Sequence, residues 1–346
     1  MAIASDIVQS IGQTPLVRLR LTPAAKAPVF AKMELSNPYG MKDRAARHII
    51  RSARRSGALA PGGLVVESSS GTMALGVALV ATHLGHPVHI VTDPRSDELT
   101  LAKLTALGCT IDVVRRMTAN GWQSARVERL HEVLAASPGS FWPRQYENPG
   151  NPAGYEALAE ELLTDLGHVD VLVGSVGSGG SLCGTARVLR LHNPTLRVVA
   201  VDATGSAIFG QPDRPQRLQS GLGNSLVPAN VDHGVIDEVH WLADVEAFAW
   251  TRELARHEQI FAGNSSGSAY AVARWIAEQS DAGTIVAIFP DRGDRYVGTI
   301  YNAAYRLRHG VDSSGLPPEP TPITPEETAT TWSFARLRHA PVALPR

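Results

Sequence analysis

Residues 36–44 of the chain read Ser36-Asn37-Pro38-Tyr39-Gly40-Met41-Lys42-Asp43-Arg44. The Asn-Pro-x-Gly run is typical of a turn, and the apolar and basic residues from Asp43 to Ser56 recur at helical spacing. The pattern therefore predicts a turn that delivers Lys42 to the start of a helix. We take Lys42 as the candidate for the working residue.

Lysine is scarce in this chain. The four lysines are Lys26, Lys32, Lys42 and Lys103, whereas arginine supplies nearly all the other positive charge. An ammonium group can lose its proton in a protein and a guanidinium group cannot, so a chain that otherwise uses arginine keeps lysine where a neutral amine is needed. Spacing alone still favours a solvated surface position for any single lysine.

The composition is that of an ordinary globular protein. A length of 346 residues predicts two lobes, and a net charge of −1 gives no indication of binding to nucleic acid or to an anionic membrane. No apolar run reaches the ~20 residues of a membrane-spanning helix, and residues 1–10 do not resemble a signal peptide, so a cytoplasmic protein is expected. Cys109 and Cys183 lack metal-ligand spacing, and we predict no metal.

Strands and helices alternate from residue 64 onward. Apolar runs such as Val88 to Thr92 and Val169 to Val173 are separated by helical patterns such as Thr72 to Leu84 and Gly121 to Ala136. This order predicts an α/β fold in which mostly parallel sheets are covered by helices. The Pro-rich segment from Phe141 to Pro152 predicts a break between two lobes.

We place the larger lobe at residues 1–45 and 146–310 and a smaller, mobile lobe at residues 46–145. The polar run from Thr204 to Asn230 is rich in Gly and Pro and has no clear period, which predicts an ordered functional loop. Residues 311–346 form a Pro-rich tail, which we expect to be a surface wrap or disordered.

A Gly-rich turn follows an apolar strand and opens a helix between Val173 and Gly184. Its five glycines bring bare backbone N–H groups together at a helix N-terminus, which favours an anion. The spacing matches neither a dinucleotide fingerprint nor a nucleotide-triphosphate loop, so a single phosphate monoester is the better match. Pyridoxal phosphate has such a group and needs a lysine. The alternative is a tight turn without a ligand.

Three further loops follow strands or open helices. The segment from Glu67 to Thr72 presents hydroxyl groups at a predicted helix start and could bind a substrate carboxylate. The segments from Gly263 to Gly267 and from Phe289 to Tyr296 could reach the same crevice at the carboxyl ends of the strands. Each loop taken alone is more often a helix cap than a site.

These motifs, in this order, resemble the cysteine synthase and cystathionine β-synthase family. The resemblance covers about residues 6–306. It is carried by Ile11-Gly12-Gln13-Thr14-Pro15-Leu16, Asn37-Pro38-x-Gly40-x-Lys42-Asp43-Arg44, Glu67 to Thr72, Gln145-Tyr146-Glu147-Asn148-Pro149, Gly177 to Ser181, Ser265-Ser266-Gly267 and Pro290 to Tyr296. The family implies pyridoxal phosphate in a fold of type II, similar to the tryptophan synthase β chain, and a homodimer.

The resemblance also implies a role for each motif. Lys42 would form the Schiff base with the cofactor and then move protons at the substrate carbons, and the larger lobe would hold the cofactor phosphate. The cofactor-binding residues implied are Lys42, Thr72, Gly177, Ser178, Gly179, Gly180, Ser181, Ser265, Pro290 and Asp291. The substrate-binding residues implied are Ser69, Ser70, Gly71, Gln145 and, for a phosphate leaving group or an anionic nucleophile, Arg217.

The implied reaction is β-replacement on an O-activated L-serine by a sulfur nucleophile. The family usually has Thr-Ser-Gly-Asn-Thr where this chain has Ser69-Ser70-Gly71-Thr72-Met73, so the substrate departs from the common pattern. Gly71-Thr72 and the segment from Gly205 to Pro212 look more like the S-sulfocysteine synthase branch, which pairs O-phosphoserine with thiosulfate. Two alternatives remain, namely an amine nucleophile and a non-catalytic homologue that acts as a binding partner.

Overall fold

Two sheets, each covered by helices, form the fold. The computed structural model describes residues 3–118, 121–279, 281–312 and 319–337. Its strands are β1 Leu16–Arg18, β2 Val29–Lys32, β3 Val65–Ser68, β4 Val88–Thr92, β5 Thr110–Val113, β6 Val171–Ser175, β7 Arg197–Ala203, β8 Glu238–Leu242, β9 Ile285–Ile288, β10 Thr321–Pro322 and β11 Ser333–Arg336. Its α-helices are α1 Lys42–Ser56, α2 Thr72–His83, α3 Glu98–Ala106, α4 Gly121–Ala136, α5 Gly150–Ala153, α6 Glu156–Leu166, α7 Gly180–His192, α8 Asp244–His257, α9 Asn264–Gln279 and α10 Ala303–Arg308.

The larger sheet has the strand order β1-β2-β9-β6-β7-β8-β11-β10, and the smaller one has the order β3-β4-β5. Neighbouring strands are parallel except in the pairs β1–β2 and β8–β11. Strands β3, β6 and β9 are buried along their whole length, as expected of strands covered on both faces. The predicted α/β fold is confirmed.

The loops that carry the sequence motifs leave the carboxyl ends of parallel strands. The segment before α1 follows β2, and the segment with Pro290 and Asp291 follows β9. Residues 69–71, which we call the Ser-rich loop, follow β3, and residues 176–179, the Gly-rich loop, follow β6. The adjacent strands β2, β9 and β6 bring three of these loops together at the edge where ligands bind in open α/β folds, and the Ser-rich loop comes from the smaller sheet. Because β3 to β5 form a separate sheet, we propose the lobe boundaries near residues 45 and 145.

The C-terminal segment differs from the expected surface wrap or disorder. Over the described residues 319–337 it adds β10 and β11 to the larger sheet, with β11 antiparallel to β8. Trp332 is buried, and its backbone N–H donates to Glu246 at 2.7 Å and its ring N–H to His240 at 3.3 Å. This strand was not predicted, because the segment is short and rich in Pro and Thr and because its pairing partner β8 is distant in the chain. Residues 313–318 and 338–346 of the expected tail lie outside the described residues.

The helices of the described ranges are too short or too polar to cross a membrane. The sequence pattern predicts a helix from Gly267 to Ser280, but helix α9 begins at Asn264, three residues earlier, and the predicted end at residue 280 lies outside the described residues. The earlier start places Ser265 in the first turn of a helix rather than in a loop.

Candidate active site

Lys42 is the first residue of α1, and its amine lies at the Gly-rich loop. Lys42 Nζ is 3.4 Å from Ser178 Oγ, although the two residues are 136 positions apart in the chain. The preceding turn depends on Gly40, which has φ +127° and whose Cβ, if present, would lie 3.0 Å from the Pro290 carbonyl oxygen. The N–H of Met41 donates to that same carbonyl at 2.9 Å. This hydrogen bond holds the turn before Lys42 against the end of β9, and the position of the turn directs the Lys42 amine into the cleft.

A buried ion network holds the start of α1 in place. Arg44 donates to both carboxylate oxygens of Glu34 at 2.7 and 2.8 Å and to both of Glu161 at 2.7 and 2.8 Å. Lys32 Nζ lies 2.7 Å from Glu161. Burial alone would raise the pKa of Glu161, but the bonds from Arg44 and Lys32 outweigh it and lower that pKa to about 2. The sequence motif included Arg44 but did not indicate its two carboxylate partners.

The environment of Lys42 favours the neutral amine. Burial lowers the pKa of Lys42 to about 8, and the negative charge of Asp291 opposes this shift. An amine with a pKa near 8 is partly unprotonated at neutral pH, which is what a nucleophile or a base requires.

The Gly-rich loop forms a cradle with room for an anion but not for side chains. Gly179 has φ +81°, and a Cβ there would lie 2.8 Å from the Asn230 carbonyl oxygen. A Cβ on Gly180 would lie 2.1 Å from Asn151 Oδ1. The first-turn N–H groups of α7 have no intrahelical partner and no side-chain cap, and Asn151 donates to Ser178 Oγ at 3.0 Å. The cradle therefore presents unpaired donors directly beside the Lys42 amine.

Ser265 and Asp291 lie on the side of the cleft formed by the larger sheet. Ser265 is buried in the first turn of α9, and the long loop covers it, since a Cβ on Gly221 would lie 3.8 Å from Ser265 Oγ and 4.0 Å from the Tyr296 hydroxyl. Tyr296 donates to Asp291 Oδ2 at 2.8 Å. Within the described residues Asp291 Oδ1 is buried without a hydrogen-bond partner, and burial raises the pKa of Asp291. The loop from 204 to 230, predicted to be ordered and functional, thus covers the cleft.

The Ser-rich loop lies on the side of the cleft formed by the smaller sheet. Gly71 caps α2 without a side-chain hydrogen bond, and its N–H donates to Ser69 Oγ at 3.2 Å. The side chain of Gln145 is buried and its amide donates to the Ser68 carbonyl at 3.4 Å. A Cβ on Gly40 would lie 3.6 Å from Thr72 Cγ2, so the start of α2 meets the turn before Lys42. The helix N-terminus is suited to a carboxylate.

Arg295 joins the two sides of the cleft and was not singled out from the sequence. Its Nε donates to Asp97 at 3.1 Å and to Thr100 at 3.2 Å, while Nη2 is 3.5 Å from the Ser70 carbonyl oxygen. Its Nη1 donates to Asp291 at 3.1 Å on the opposite side. Asp97 is the N-cap of α3. The Arg295 guanidinium therefore connects α3 and the Ser-rich loop, on the side of the smaller sheet, to Asp291, whose charge raises the pKa of Lys42.

Arg217 lies in the long loop and is engaged there. Its guanidinium donates to the Gly205 carbonyl, to Asp213 at 2.8 Å and to Ser225 at 3.3 Å. These contacts stabilise the loop that covers Ser265. A direct contact with a substrate anion stays a prediction for Arg217.

A second group of charged side chains lies beside the Ser-rich loop, and we call it the arginine cluster. Arg126 Nη1 is 2.9 Å from Asp93 Oδ2, and Arg95 donates to both oxygens of Asp93 at 3.0 Å. Glu67 and Tyr146 also belong to the cluster, because the positive charge of Arg126 acts to lower the pKa of each of these side chains. The sequence indicated Glu67 and Tyr146 only within longer motifs, and Arg126 has the spacing of an ordinary helix residue.

The family model for pyridoxal-phosphate dependent enzymes matches residues 7–291. The chain belongs to this family. N-(2-amino-2-carboxyethyl)-L-glutamate synthases from Ralstonia nicotianae and Cupriavidus metallidurans are 40% and 39% identical to it, over 90% and 88% of this chain and 94% and 92% of theirs. The crystal structure of a cysteine synthase from Entamoeba histolytica superposes with a TM-score of 0.82 at 25% identity, covering 90% of this chain and 96% of that one.

The protein is therefore a pyridoxal phosphate-dependent enzyme of the cysteine synthase type, and the predicted family and cofactor are confirmed. The side chains of the cleft fit this cofactor. The glycine cradle can take one phosphate, the Lys42 amine lies beside it, and the unpartnered oxygen of buried Asp291 is a free polar group at the same site. The individual roles of the site residues stay predictions.

Covalent attachment of the cofactor to Lys42 should depend on pH. Only the neutral amine attacks the aldehyde of pyridoxal phosphate, and a pKa of about 8 means that this form is the minor one below pH 8 and the major one above it. In cofactor-free protein the attachment rate should rise about tenfold per pH unit below 8 and level off above it. Stopped-flow absorbance of the bound cofactor measures this rate. A midpoint close to 10.5 would contradict the desolvation of Lys42.

Proposed function

We propose that this enzyme replaces the leaving group of an O-activated L-serine with the amine of an amino acid. Support comes from the two relatives at about 40% identity, whose names describe a product that carries a 2-amino-2-carboxyethyl group on the nitrogen of L-glutamate. Such a product results when an amine takes the place of the oxygen on the β-carbon of a serine derivative. L-Glutamate is therefore the first nucleophile to test.

The observation that carries the proposed chemistry is the position of the Lys42 amine, 3.4 Å from Ser178 in the glycine cradle. Bound at this site, pyridoxal phosphate supplies the electron sink that makes the α-proton of an amino acid acidic. Lys42, once released, takes that proton and later returns one to the same carbon. We assign the cofactor ring to Thr72, Ser265, Pro290 and Asp291, and the phosphate to the cradle.

The substrate α-carboxylate is assigned to the opposite side of the cleft. Ser69, Ser70 and Gly71 present hydroxyl and N–H groups at the start of α2, and Gln145 packs against the same loop. A carboxylate bound there is favoured by the helix N-terminus. A carboxylate there would also lie on the loop that Arg295 contacts, and Arg295 in turn donates to Asp291, whose charge acts on Lys42.

A sulfur nucleophile is the second candidate. The similarity to the Entamoeba histolytica cysteine synthase and the S-sulfocysteine synthase-like features of the sequence favour it. In that case Arg217, in the long loop, would meet a phosphate leaving group or thiosulfate. Sulfide and thiosulfate carry no ammonium group, so the two candidates place different demands on the side chains around the entering nucleophile.

A panel of substrate pairs tests the proposal. O-Phospho-L-serine and O-acetyl-L-serine are each combined with L-glutamate, other amino acids, sulfide and thiosulfate, and products are identified by mass spectrometry. We expect a product that joins the 2-amino-2-carboxyethyl group to an amino-acid nitrogen, with kcat/KM at least about tenfold above that for either sulfur nucleophile. Efficient use of sulfur alone would overturn the amine proposal and support the second candidate.

A further inference from the structure

The arginine cluster lies beside the residues assigned to the first substrate. Glu67 is on β3 directly before the Ser-rich loop, Asp93 directly follows β4, and Tyr146 directly follows Gln145. All three are therefore next to the residues assigned to the α-carboxylate of the first substrate. The backbone carbonyl of Tyr146 also accepts from Asn230, whose carbonyl borders the glycine cradle.

Two members of the cluster are buried with unused hydrogen-bonding capacity. Arg126 is 4% exposed and Glu67 is 1% exposed. In the part of the chain that the structure describes, Arg126 Nε has no hydrogen-bond partner, and Nη1 contacts Asp93 as an ion pair without hydrogen-bond alignment. Glu67 Oε1 accepts from Ser68 at 2.8 Å, whereas Oε2 makes no hydrogen bond of good geometry. The Trp142 ring N–H lies close to this carboxyl group but also makes no hydrogen bond of good geometry. Unsatisfied buried groups are uncommon, and groups that a ligand completes are one reason for them.

The unused groups are of opposite chemical kinds. Arg126 is ion-paired with Asp93 through Nη1, and its Nε, which has no hydrogen-bond partner among the described residues, offers a donor that suits a carboxylate. Glu67 offers an oxygen that suits an ammonium group. Free α-amino acids carry one carboxylate and one ammonium group, and neither sulfide nor thiosulfate carries this combination.

We propose that Arg126 and Glu67 bind the entering amino acid, with the guanidinium on its carboxylate and the Glu67 carboxyl on its amine. This inference rests on the proposed function and extends it to the side chains that select the nucleophile. Tyr146 lines the same position from the segment between the lobes. Arg126 lies on α4 and Glu67 on β3, and both elements belong to the smaller lobe.

Glu67 also accounts for the proton that an amine has to lose. The amino acid arrives as an ammonium ion, gives one proton to Glu67, and its nitrogen lone pair then forms the bond to the β-carbon. The C–O bond of the activated serine has broken before this step, when Lys42 took the α-proton and the C–O electron pair left on the leaving oxygen. After the amine adds, Lys42 returns a proton to the α-carbon and Glu67 releases its proton to solvent. Burial raises the pKa of Glu67 to about 8, and the charge of Arg126 opposes the shift, so the group can exchange a proton near neutral pH.

Arg126→Gln tests the carboxylate contact. We expect the KM for the amino-acid nucleophile to rise at least about tenfold, as the loss of a charge-assisted hydrogen bond predicts, while the KM for the activated serine stays within about twofold. Single-turnover release of the leaving group without nucleophile should keep its wild-type rate. Arg126→Lys keeps the charge and should recover part of the affinity. Arg129→Gln is the matched control, since Arg129 lies one turn along α4, is exposed, and pairs with Asp112 and Glu132.

Glu67→Gln tests the proton transfer. Besides Arg126, the groups around Glu67 are Ser68, which donates to it, the ring N–H of Trp142, and Tyr146. We expect kcat with the amino acid to fall at least about tenfold at pH 7 and to recover as the pH approaches the pKa of the free amine. Release of the leaving group without nucleophile should stay at the wild-type rate. An unchanged pH profile in Glu67→Gln would overturn the assignment of the proton to Glu67.

The outcomes separate the inference from the function on which it rests. A wild-type enzyme that joins no amino acid to the serine carbon overturns the proposed function itself. A wild-type enzyme that does so, with an Arg126→Gln variant of unchanged KM for the amino acid, overturns only the inference. A raised KM for the activated serine alone would instead assign Arg126 to the leaving group. Thermal melting of each variant with bound cofactor identifies a variant that has not folded. If Arg126→Gln has not folded, the KM of Arg126→Lys for the amino acid tests the inference instead.

Discussion

Lys42→Ala should lower kcat by at least about a thousandfold, the largest effect of any single substitution in the cleft. The variant loses both the covalent attachment of the cofactor and the group that moves the proton at the α-carbon, and general acid–base catalysis alone contributes roughly 10²–10⁴-fold. The neighbouring cradle residues keep their positions, so the protein should still fold and bind the cofactor non-covalently. Turnover, cofactor absorbance and borohydride labelling followed by peptide mapping are the measurements.

Wild-type protein should be yellow and should carry the borohydride-fixed cofactor on Lys42. Lys26→Ala serves as the control, because Lys26 lies outside the cleft and its amine contacts the Gln279 carbonyl at 3.1 Å. A colourless wild-type protein that takes up no pyridoxal phosphate would contradict the assignment of Lys42. Unchanged biological activity of Lys42→Ala would favour the alternative of a non-catalytic binding partner.

Arg44→Ala should lower the free energy of unfolding by about 3–5 kcal/mol, because it removes one member of a buried ion network and leaves Glu34 without a charged partner, while Glu161 keeps Lys32. Arg44 is 1% exposed and makes four hydrogen bonds to Glu34 and Glu161. Glu34 is fully buried, so its carboxyl group would lose its guanidinium partner where water cannot replace it. Urea unfolding of the enzyme with bound cofactor, followed by circular dichroism, measures the loss.

Arg54→Ala is the matched control for this substitution. Arg54 lies on the same helix, is exposed, and should change the free energy of unfolding by no more than about 0.5 kcal/mol when replaced. Equal effects of the two substitutions would mean that the network beneath α1 adds no specific stability. Because the network holds the turn before Lys42, the Arg44 variant should also lose activity below its unfolding midpoint.

The sequence predicted the elements whose signals are local. A turn of Asn, Pro and Gly before a helical pattern placed Lys42 at a helix start, and α1 does begin at Lys42. Five glycines after an apolar strand predicted the anion cradle, because backbone freedom and a helix N-terminus are encoded within a dozen residues. The alternation of strands and helices predicted the α/β fold, which depends only on hydrophobic periodicity.

Other features depended on residues that are distant in the chain. Strand β11 was missed because its pairing partner β8 precedes it by about 90 residues and itself follows a long loop. Arg295 contacts Asp97 across 198 positions, and Arg44 contacts Glu161 across 117. A charged residue on a helix surface and one buried in an ion pair have the same local sequence pattern, so no periodicity distinguishes them.

The chain by itself thus determined the chemistry available, namely one scarce lysine, a phosphate cradle and hydroxyl groups at a helix start. Tertiary structure decided which of these groups meet and what surrounds them. It placed the Lys42 amine beside Ser178, lowered the pKa of that amine by burial, and brought Arg126 close enough to Glu67 for its charge to act on the Glu67 carboxyl group. The physical reason is that burial and charge pairing depend on distances through space, which the order of parallel strands sets.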